Sequence, residues 1–394
     1  MNRAGPFYRF HGSRKLLTPT RLRRPNTMSS SFRIFPDSAL PRAVLFFAFV
    51  SICCFLLYGA TDSLRFLSFP SVYPVSFPHI FPSVADNDLL PASNEQNLEM
   101  VLKDAAMEDR TVILTTLNEA WAAPNSVIDL FLASFRIGEG TRRLLNHLVI
   151  IALDQKAYTR CTEVHNHCFA LVTEGIDFRK EAYFMTSSYL KMMWRRIDFL
   201  RSILEMGYNF VFTDADVMWF RDPFPQFYSD VDFQIACDHF AGSSDSIENK
   251  PNGGFSYVKS NNRSIEFYKF WHSSKETYPG NHDQEVLNRI KNDTFVDDLG
   301  LKMRFLDTVY FGGLCEPSKD LNLVCTMHAN CCLGLDSKLH DLKIMLQDWK
   351  HFLSLPPSLK TSLIVSWSVP KNCSLDSLHH HEYPEGGVQL ELRE

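Results

Sequence analysis

The sequence predicts an α/β fold, a mixed sheet with helices on both faces, preceded by a single transmembrane helix. Short β-branched apolar segments alternate with longer segments of helical periodicity. One apolar segment, NFVFTDAD, runs directly into two carboxylates, and an uncharged apolar run lies near the N-terminus. Alternating strands and helices are typical of parallel or mixed sheets that are covered on both faces.

The composition is that of an ordinary globular protein. The chain has 394 residues, is 45% hydrophobic and carries a formal net charge of −5 at pH 7. We therefore expect no polyanion-binding surface and no nucleic-acid partner. Charge is uneven, because the segment before residue 43 is basic and Asp37 is its only acid.

Residues 43–60 form an uncharged apolar run, AVLFFAFVSICCFLLYGA. About 18–20 apolar residues in a helix cross a hydrocarbon core roughly 30 Å thick. A buried core helix and a cleaved signal peptide are the alternatives, but no polar face interrupts the run, and Tyr58 is too large for a typical cleavage site. The basic flank predicts a cytoplasmic tail (1–42), a signal anchor (43–60) and a luminal remainder, a type II topology.

Residues 61–97 are rich in Pro, Ser and Phe and predict an extended stem. The folded domain is expected at 98–378, followed by a polar tail at 379–394. A luminal location agrees with three N-x-S/T sequons, at Asn262, Asn292 and Asn372.

Of the 10 cysteines, all but Cys53 and Cys54 follow the apolar run. In the secretory pathway they are expected to form disulfides, whose pairing the sequence alone does not determine. Cys161 with Cys168 and Cys315 with Cys325 are the local pairs to test first.

The first elements of the folded domain follow in chain order. Thr111–Leu117 and Leu148–Leu153 are β-branched, apolar and predicted to be buried strands. The apolar segment 128–135 between them predicts a crossover helix. Apolar residues at helical spacing predict a longer helix over 187–206, which Gly207 ends.

The carboxyl ends of these strands are where such sheets bind ligands. This rule predicts functional groups just after Leu117, Leu153 and Thr213. Asp214 and Asp216 follow Thr213, and two carboxylates separated by one residue project the same way from an extended chain. They can hold a hard divalent cation that bridges a diphosphate. The alternative is a solvated acidic turn, which the apolar strand before and the aromatic segment after argue against.

Four segments together resemble the nucleotide-diphospho-sugar transferase family known mainly from plants, which includes cell-wall arabinosyl- and xylosyltransferases. They are VFTDADVMWFRDPF, PNGGFSYVKS, NHDQEVLN and HANCCLG, and the resemblance covers roughly residues 111–353. It implies a retaining glycosyltransferase with a GT-A fold, Mn²⁺ or Mg²⁺, a UDP-sugar donor, a glycan or glycoprotein acceptor and Golgi residence.

The resemblance also implies roles for particular residues. Asp214 and Asp216 match the metal-binding D-x-D, and His328 matches a late histidine that completes the metal site. Gly334 and Lys338 resemble the end of an H…G…K pattern in which the lysine meets the diphosphate. An exposed surface lysine is the alternative for Lys338.

Further residues of the donor site carry structural alternatives. Asn252, Gly253 and Gly254 either let the backbone approach a ligand closely or form an ordinary turn. In resembling enzymes the pair Asp283 and Gln284 lies beside the transferred sugar, although Asp283 could instead cap a helix.

The nucleotide side of the site has candidates of its own. Thr115, Thr116 and Asn118 occupy the first strand end, where family members hold base and ribose. Lys191 and Arg195 either contact the nucleotide or form the solvated face of a helix.

Other functions fit the sequence less well. Cys325-x-x-His328-x-x-Cys331 has a spacing that permits zinc, but luminal cysteines are more often oxidised. A catalytically silent member that binds nucleotide sugars or scaffolds Golgi enzymes is the main alternative to an enzyme. A phosphoesterase would need a second set of metal ligands, which the sequence does not offer.

Overall fold

The computed structural model describes residues 92–171, 185–362 and 365–373. They form a seven-stranded sheet, a three-stranded sheet and surrounding helices. The strands are β1 (Thr111–Leu117), β2 (Leu148–Ala152), β3 (Cys168–Ala170), β4 (Asn209–Thr213), β5 (Val217–Trp219), β6 (Phe233–His239), β7 (Lys250–Val258), β8 (Met303–Phe305), β9 (Phe311–Gly313) and β10 (Thr326–His328). The helices are α1 (Ala92–Ala105), α2 (Glu119–Ala122), α3 (Val127–Ile137), α4 (Gln155–Val164), α5 (Ser187–Glu205), α6 (Asn262–Ser273), α7 (Asp283–Ile290), α8 (Thr294–Leu299), α9 (Leu335–Ser354) and α10 (Pro357–Ser362).

The large sheet has the order β3-β2-β1-β4-β7-β6-β8. Its strands pair in parallel except for β7, which runs antiparallel to β4 and β6. The middle of β7 therefore lies beside the end of β4, with Phe255 opposite Thr213. In the small sheet, β10 is antiparallel to β5, and His328 lies opposite Val217. These two antiparallel pairings bring distant residues to the D-x-D segment.

Alternate residues of the central strands enter two different apolar clusters. Ile113 and Ile150 pack on one face with α3 and α9, and Val112 and Val149 pack on the other with α1, α5 and α6. This is the period of two expected of a strand that is buried on both faces. The predicted mixed α/β architecture, with helices on both faces, is confirmed.

The predicted elements agree closely with the observed ones. The strand at Thr111–Leu117 is confirmed, and the second strand ends at Ala152, one residue earlier than predicted. The crossover helix and the helix before the D-x-D are confirmed as α3 and α5. Thr186 caps α5 by accepting a hydrogen bond from the Tyr189 N–H, and Gly207 follows it with φ 81°. Glycine adopts this left-handed conformation at little cost, which is why the helix ends there.

Several predictions fall on residues that the structure does not describe. The cytoplasmic tail (1–42), the membrane anchor (43–60) and the C-terminal tail (379–394) lie outside the described residues, as does the stem up to residue 91. Helix α1 begins at Ala92, within the range predicted as stem. Among the helices that the structure describes, none is long and apolar enough to cross a membrane.

One of the two expected disulfides is confirmed and one is wrong. Cys161 pairs with Cys168, but Cys315 pairs with Cys331 rather than with Cys325. Cys325 is a buried free thiol, because the small sheet directs its Sγ toward the Asp222 carbonyl oxygen, 3.9 Å away.

The chain turns after β10 and brings the next two cysteines to separate partners. Cys331 adopts φ 49° in this turn, and the adjacent Cys332 pairs with Cys373. Because Cys331 is in a disulfide, the Cys-His-Cys zinc site does not form.

Candidate functional site

Asp214, Asp216 and His328 form a compact cluster at the carboxyl end of β4. Each offers one ligand atom, and these atoms lie within 4.8 Å of one another. His328 Nε2 is 3.2 Å from Asp216 Oδ1. Asp216 is buried, and the amide N–H of Ala329 donates to its backbone oxygen at 3.0 Å. The structure therefore brings together the three residues that the sequence predicted to share a metal.

The pairing of β5 with β10 explains how His328 reaches the carboxylates. The Val217 N–H donates to the Asp214 oxygen at 3.1 Å, so the chain makes a turn through Ala215 and Asp216 before it enters β5. Strand β10 runs antiparallel alongside β5. His328 is the last residue of β10 and so lies next to the start of β5, immediately after Asp216. His328 and the two carboxylates are far apart in sequence, and the pairing of β10 with β5 in the small sheet brings them together.

Gly254 makes room for this cluster. A Cβ added to Gly254 would lie 2.4 Å from His328 Cε1 and 2.8 Å from Asp214 Oδ2. The Asp214 N–H donates to the Gly254 oxygen at 2.7 Å. The alternative of an ordinary turn at Asn252-Gly253-Gly254 is wrong, because all three lie inside β7 and neither glycine has a positive φ. Gly254 brings the β7 backbone close to His328 and Asp214, and its approach to a ligand stays a prediction.

Lys338, on the first turn of α9, also contacts the cluster. Its Nζ donates to Asp216 Oδ2 at 2.5 Å and to the Ala329 oxygen at 2.8 Å. Its side chain is 17% exposed, so it is not the surface lysine that was the alternative. Gly334 adopts φ 81° at the start of α9 and lets the chain turn from the cluster into that helix.

Arg196 on α5 is a member of the site that the sequence analysis missed. It is 7% exposed and donates through Nη1 to Asp214 Oδ1 at 3.0 Å and through Nη2 to Asp283 Oδ2 at 2.5 Å. The available signal was its register, since Arg196 lies on the apolar face of α5 with Met193, Ile197 and Leu200. A charged residue on a buried helix face needs a partner.

Asp283 is therefore an ion-pair partner and not a helix cap. It is 1% exposed, and the N-cap position of α7 belongs to His282. Gln284, the next residue, is half-buried and accepts a hydrogen bond from the Gly253 N–H at 2.9 Å. Asn252 accepts from the Gly254 N–H at 2.8 Å.

The remaining candidates lie toward the ends of β1 and the beginning of α5. Thr115 is fully buried, whereas Thr116 lines a small hollow with Arg195, Arg196 and Leu153. Asn118 caps α2 by accepting a hydrogen bond from the Trp121 N–H. Lys191 lies exposed near the beginning of α5. Asn118 thus has a structural role that the sequence analysis had not considered.

The electrostatic environment shifts the pKa values of the two D-x-D carboxylates in opposite directions. Burial raises the pKa of Asp214, and the Arg196 guanidinium opposes this only in part. Burial would also raise the pKa of Asp216, but the Lys338 ammonium and His328 outweigh it and hold that pKa well below its usual range. Burial lowers the pKa of His328, but the two carboxylates outweigh it, and the net shift is upward. A divalent ion would favour the ionised form of both carboxylates.

The residues present fit a divalent metal ion. Two carboxylate oxygens and one imidazole nitrogen are a donor set that suits Mn²⁺ and, less well, Mg²⁺. Asp216 Oδ1 is buried, and apart from the contact with His328 Nε2 at 3.2 Å it has no hydrogen-bond partner among the described residues. Such an atom is costly unless something else satisfies it, and an ion held by Asp214, Asp216 and His328 would do so.

Comparison with known proteins agrees with this arrangement. The family model of the nucleotide-diphospho-sugar transferases matches residues 143–342, a range that contains both the D-x-D and His328. An uncharacterized protein of Arabidopsis thaliana is 52% identical over 279 residues, which cover 71% of this chain and 74% of that protein. This chain belongs to the nucleotide-diphospho-sugar transferase family. It is a glycosyltransferase that moves a sugar from a nucleotide-sugar donor.

More distant relatives of this transferase carry functional names. The UDP-D-xylose:L-fucose alpha-1,3-D-xylosyltransferase 3 of Arabidopsis thaliana is 22% identical over 55% of this chain and 61% of its own length. Among solved structures, mouse xyloside xylosyltransferase 1 is 12% identical, with a TM-score of 0.36 over 56% of this chain and 98% of its own.

Proposed function

We propose that this transferase is a divalent-metal-dependent, retaining enzyme that uses a UDP-sugar. Its acceptor is a glycoprotein or polysaccharide of the cell wall, and it works in the Golgi lumen as a single-pass type II membrane protein. The cluster of Asp214, Asp216 and His328 carries the proposal. Two carboxylates and one imidazole beside a half-buried lysine favour an ion that binds a diphosphate over a solvated acidic turn.

Each member of the cluster has a part in this function. Asp214, Asp216 and His328 would hold Mn²⁺ or Mg²⁺, which when bound neutralises charge on the diphosphate leaving group. Lys338 Nζ, now 2.5 Å from Asp216 Oδ2, places a positive charge where negative charge develops on that leaving group. Arg196 holds Asp214 and Asp283 in fixed positions.

For a reaction that retains the anomeric configuration, Asp283 and Gln284 are the two candidate groups beside the transferred sugar. Asp283 is buried and tied to Arg196, whereas Gln284 is partly exposed. Gln284 is therefore the better placed to contact a sugar, either as a nucleophile or as a stabilising group for attack on the face that the diphosphate leaves. A product with inverted anomeric configuration would contradict retention.

The cysteines support the luminal location. Six of them form three disulfides in the described residues, Cys161–Cys168, Cys315–Cys331 and Cys332–Cys373. Disulfides persist mainly in oxidising compartments such as the secretory pathway. The predicted anchor at 43–60 would keep the domain at the membrane.

The deciding experiment is thermal unfolding of the full-length protein with UDP, with Mn²⁺ and with both. A ligand at about 100 times its dissociation constant adds roughly 2.7 kcal/mol to the stability of the folded state. We expect UDP to raise the midpoint only when Mn²⁺ is present. We also expect Asp216→Asn to abolish the gain, while Asp230→Asn, an exposed carboxylate, keeps it.

An assay of the same protein with UDP-sugar donors then tests whether it is an active enzyme. Relatives named as UDP-xylose transferases make UDP-xylose the first donor to test. Metal-dependent UDP binding without turnover of any UDP-sugar would favour the catalytically silent alternative. No midpoint shift with UDP and Mn²⁺ together would exclude the metal–diphosphate site.

A further inference from the structure

Asp238, near the end of β6, accepts hydrogen bonds from three side-chain amides that belong to different parts of the fold. Its Oδ1 accepts from Asn252 Nδ2 and from Asn330 Nδ2, each at 2.8 Å, and its Oδ2 accepts from Gln284 Nε2 at 2.8 Å. Asn252 lies on β7, Gln284 on α7 and Asn330 in the loop between β10 and α9. One carboxylate thus connects three segments around the candidate site.

The oxygen ends of the same amides are also occupied. Each accepts a hydrogen bond from a backbone N–H: Asn252 from Gly254 at 2.8 Å, Gln284 from Gly253 at 2.9 Å and Asn330 from Cys315 at 3.1 Å. A carboxylate can only accept, and a backbone N–H can only donate. The two sets of partners therefore fix a single orientation for each amide.

This network borders the metal cluster directly. The position of a Cβ on Gly254 is 2.9 Å from Asn252 Oδ1 and 2.8 Å from Asp214 Oδ2. Asn252 and Asn330 are buried, whereas Gln284 is half-buried. Gln284 is therefore the amide of the network whose orientation a bound ligand can sense.

We propose that Asp238 is a positioning residue for the transferred sugar. By accepting a hydrogen bond from the NH₂ group of Gln284, Asp238 fixes the orientation of that amide next to the sugar of the metal-bound UDP-sugar. This inference rests on the proposed function, since it assumes a UDP-sugar at the cluster. Asp238 acts through Gln284, and UDP alone does not depend on it.

A donor–acceptor exchange tests the contact. In Asp238→Asn, one oxygen still serves Asn252 and Asn330, but the new NH₂ group faces the NH₂ of Gln284. Two donors then oppose each other, and Gln284 must turn and lose the Gly253 bond. In Asp238→Asn with Gln284→Glu, the carboxylate at 284 accepts from both the new amide and the Gly253 N–H. The double variant therefore restores the pairing with its direction reversed.

The readout is the affinity of the full-length protein, with Mn²⁺, for UDP and for UDP-xylose, UDP-galactose, UDP-glucose and UDP-arabinose. In Asp238→Asn we expect UDP to bind within about twofold of wild type, and the best-bound UDP-sugar to lose about tenfold, as for a buried donor left unpaired. Asp230→Asn, an exposed position ahead of the same strand, should change neither affinity. The thermal midpoints of Asp238→Asn, of Gln284→Glu and of the double variant complete the double-mutant cycle.

The outcomes separate this inference from the proposed function. If the wild type does not bind UDP with Mn²⁺, the proposed function fails. If the wild type binds UDP but no UDP-sugar, or Asp238→Asn weakens UDP and UDP-sugar equally or not at all, Asp238 does not position the sugar. Midpoint losses of the two single substitutions that simply add in the double variant would show that the two side chains are not coupled, and would overturn the proposal as well.

Discussion

Arg196 shows how one side chain organises the site at the scale of a residue. Its guanidinium lies on the buried face of α5 and connects Asp214, a predicted metal ligand, to Asp283, which is predicted to lie beside the transferred sugar. The fork of guanidinium N–H groups reaches two carboxylates at once, which a lysine ammonium on a flexible stem does less well. Removal of Arg196 would leave two carboxylates without their shared cation.

We expect Arg196→Gln to lower the free energy of unfolding at pH 7 by about 3–5 kcal/mol, the range for breaking a buried ion pair. Arg289→Gln is the control, because Arg289 forms a surface pair with Glu285 and its side chain is 50% exposed. The control should cost about 0–1 kcal/mol. Urea denaturation measures both, and similar losses in the two variants would contradict a buried role for Arg196.

The effect of Arg196→Gln should also depend on pH. Burial raises the pKa of Asp283, but Arg196, with a smaller contribution from His282, outweighs it and holds that pKa at about 2. Because the folded pKa lies below the unfolded value of about 3.9, the stabilisation is fully present above pH 4. It is lost as the pH falls from about 4 toward 2. The stability difference between wild type and Arg196→Gln should therefore shrink over this range.

At the scale of elements, the loop between β10 and α9 holds the site together. It follows His328, contains Asn330 and leads to Lys338, so it connects the candidate metal site to the Asp238 network. Two adjacent cysteines anchor it on both sides, Cys331 to Cys315 and Cys332 to Cys373.

The segment that Cys332 reaches is itself held in place. Asp341 on α9 accepts hydrogen bonds from the backbone N–H groups of Lys371, Asn372 and Cys373 at 2.8, 3.0 and 3.0 Å. The disulfide thus fixes the loop to an ordered partner.

We expect Cys332→Ser with Cys373→Ser to weaken UDP–Mn²⁺ binding as well as stability. Cys161→Ser with Cys168→Ser is the matched control, since that disulfide joins α4 to β3, away from the cluster. The chain-entropy model gives about 4 kcal/mol for the loop closed by Cys332–Cys373 and about 2 kcal/mol for the control. UDP titration with Mn²⁺ distinguishes the pairs, and unchanged affinity in the first would show that the loop needs no covalent anchor.

At the scale of the whole molecule, the cysteines report on how and where the protein folds. Cys237 and Cys325 are free and buried among the described residues, and the other six are paired. Burial raises the pKa of the Cys325 thiol to about 12 and that of Cys237 still further. Protonated thiols react slowly with alkylating agents.

We expect the native protein, purified from a secretory-pathway host without reductant, to resist alkylation at all eight of these cysteines. After denaturation without reductant, Cys237 and Cys325 alone among them should be labelled, as read by peptide mass spectrometry. Labelling of Cys332 or Cys373 in that sample would mean that the third disulfide does not form.

The sequence by itself determined the local features of this protein. The strand at Thr111–Leu117, the helix before the D-x-D and its end at Gly207 follow from apolar periodicity and backbone preferences, which act over a few residues. The D-x-D stood out because two carboxylates at the end of an apolar strand have few structural uses. The family resemblance added His328 and Lys338, which share no local pattern with Asp214.

Only the tertiary structure decided which distant residues meet. The antiparallel direction of β7 places Gly254 beside Asp214, and the pairing of β10 with β5 places His328 beside Asp216. Arg196 and Asp238 were missed because their partners are far away in sequence. The register of Arg196 on α5 indicates that it needs a partner, but no local pattern identifies a partner across the fold. The Cys315–Cys331 pair was misjudged for the same reason, since the small sheet determines where Cys325 points.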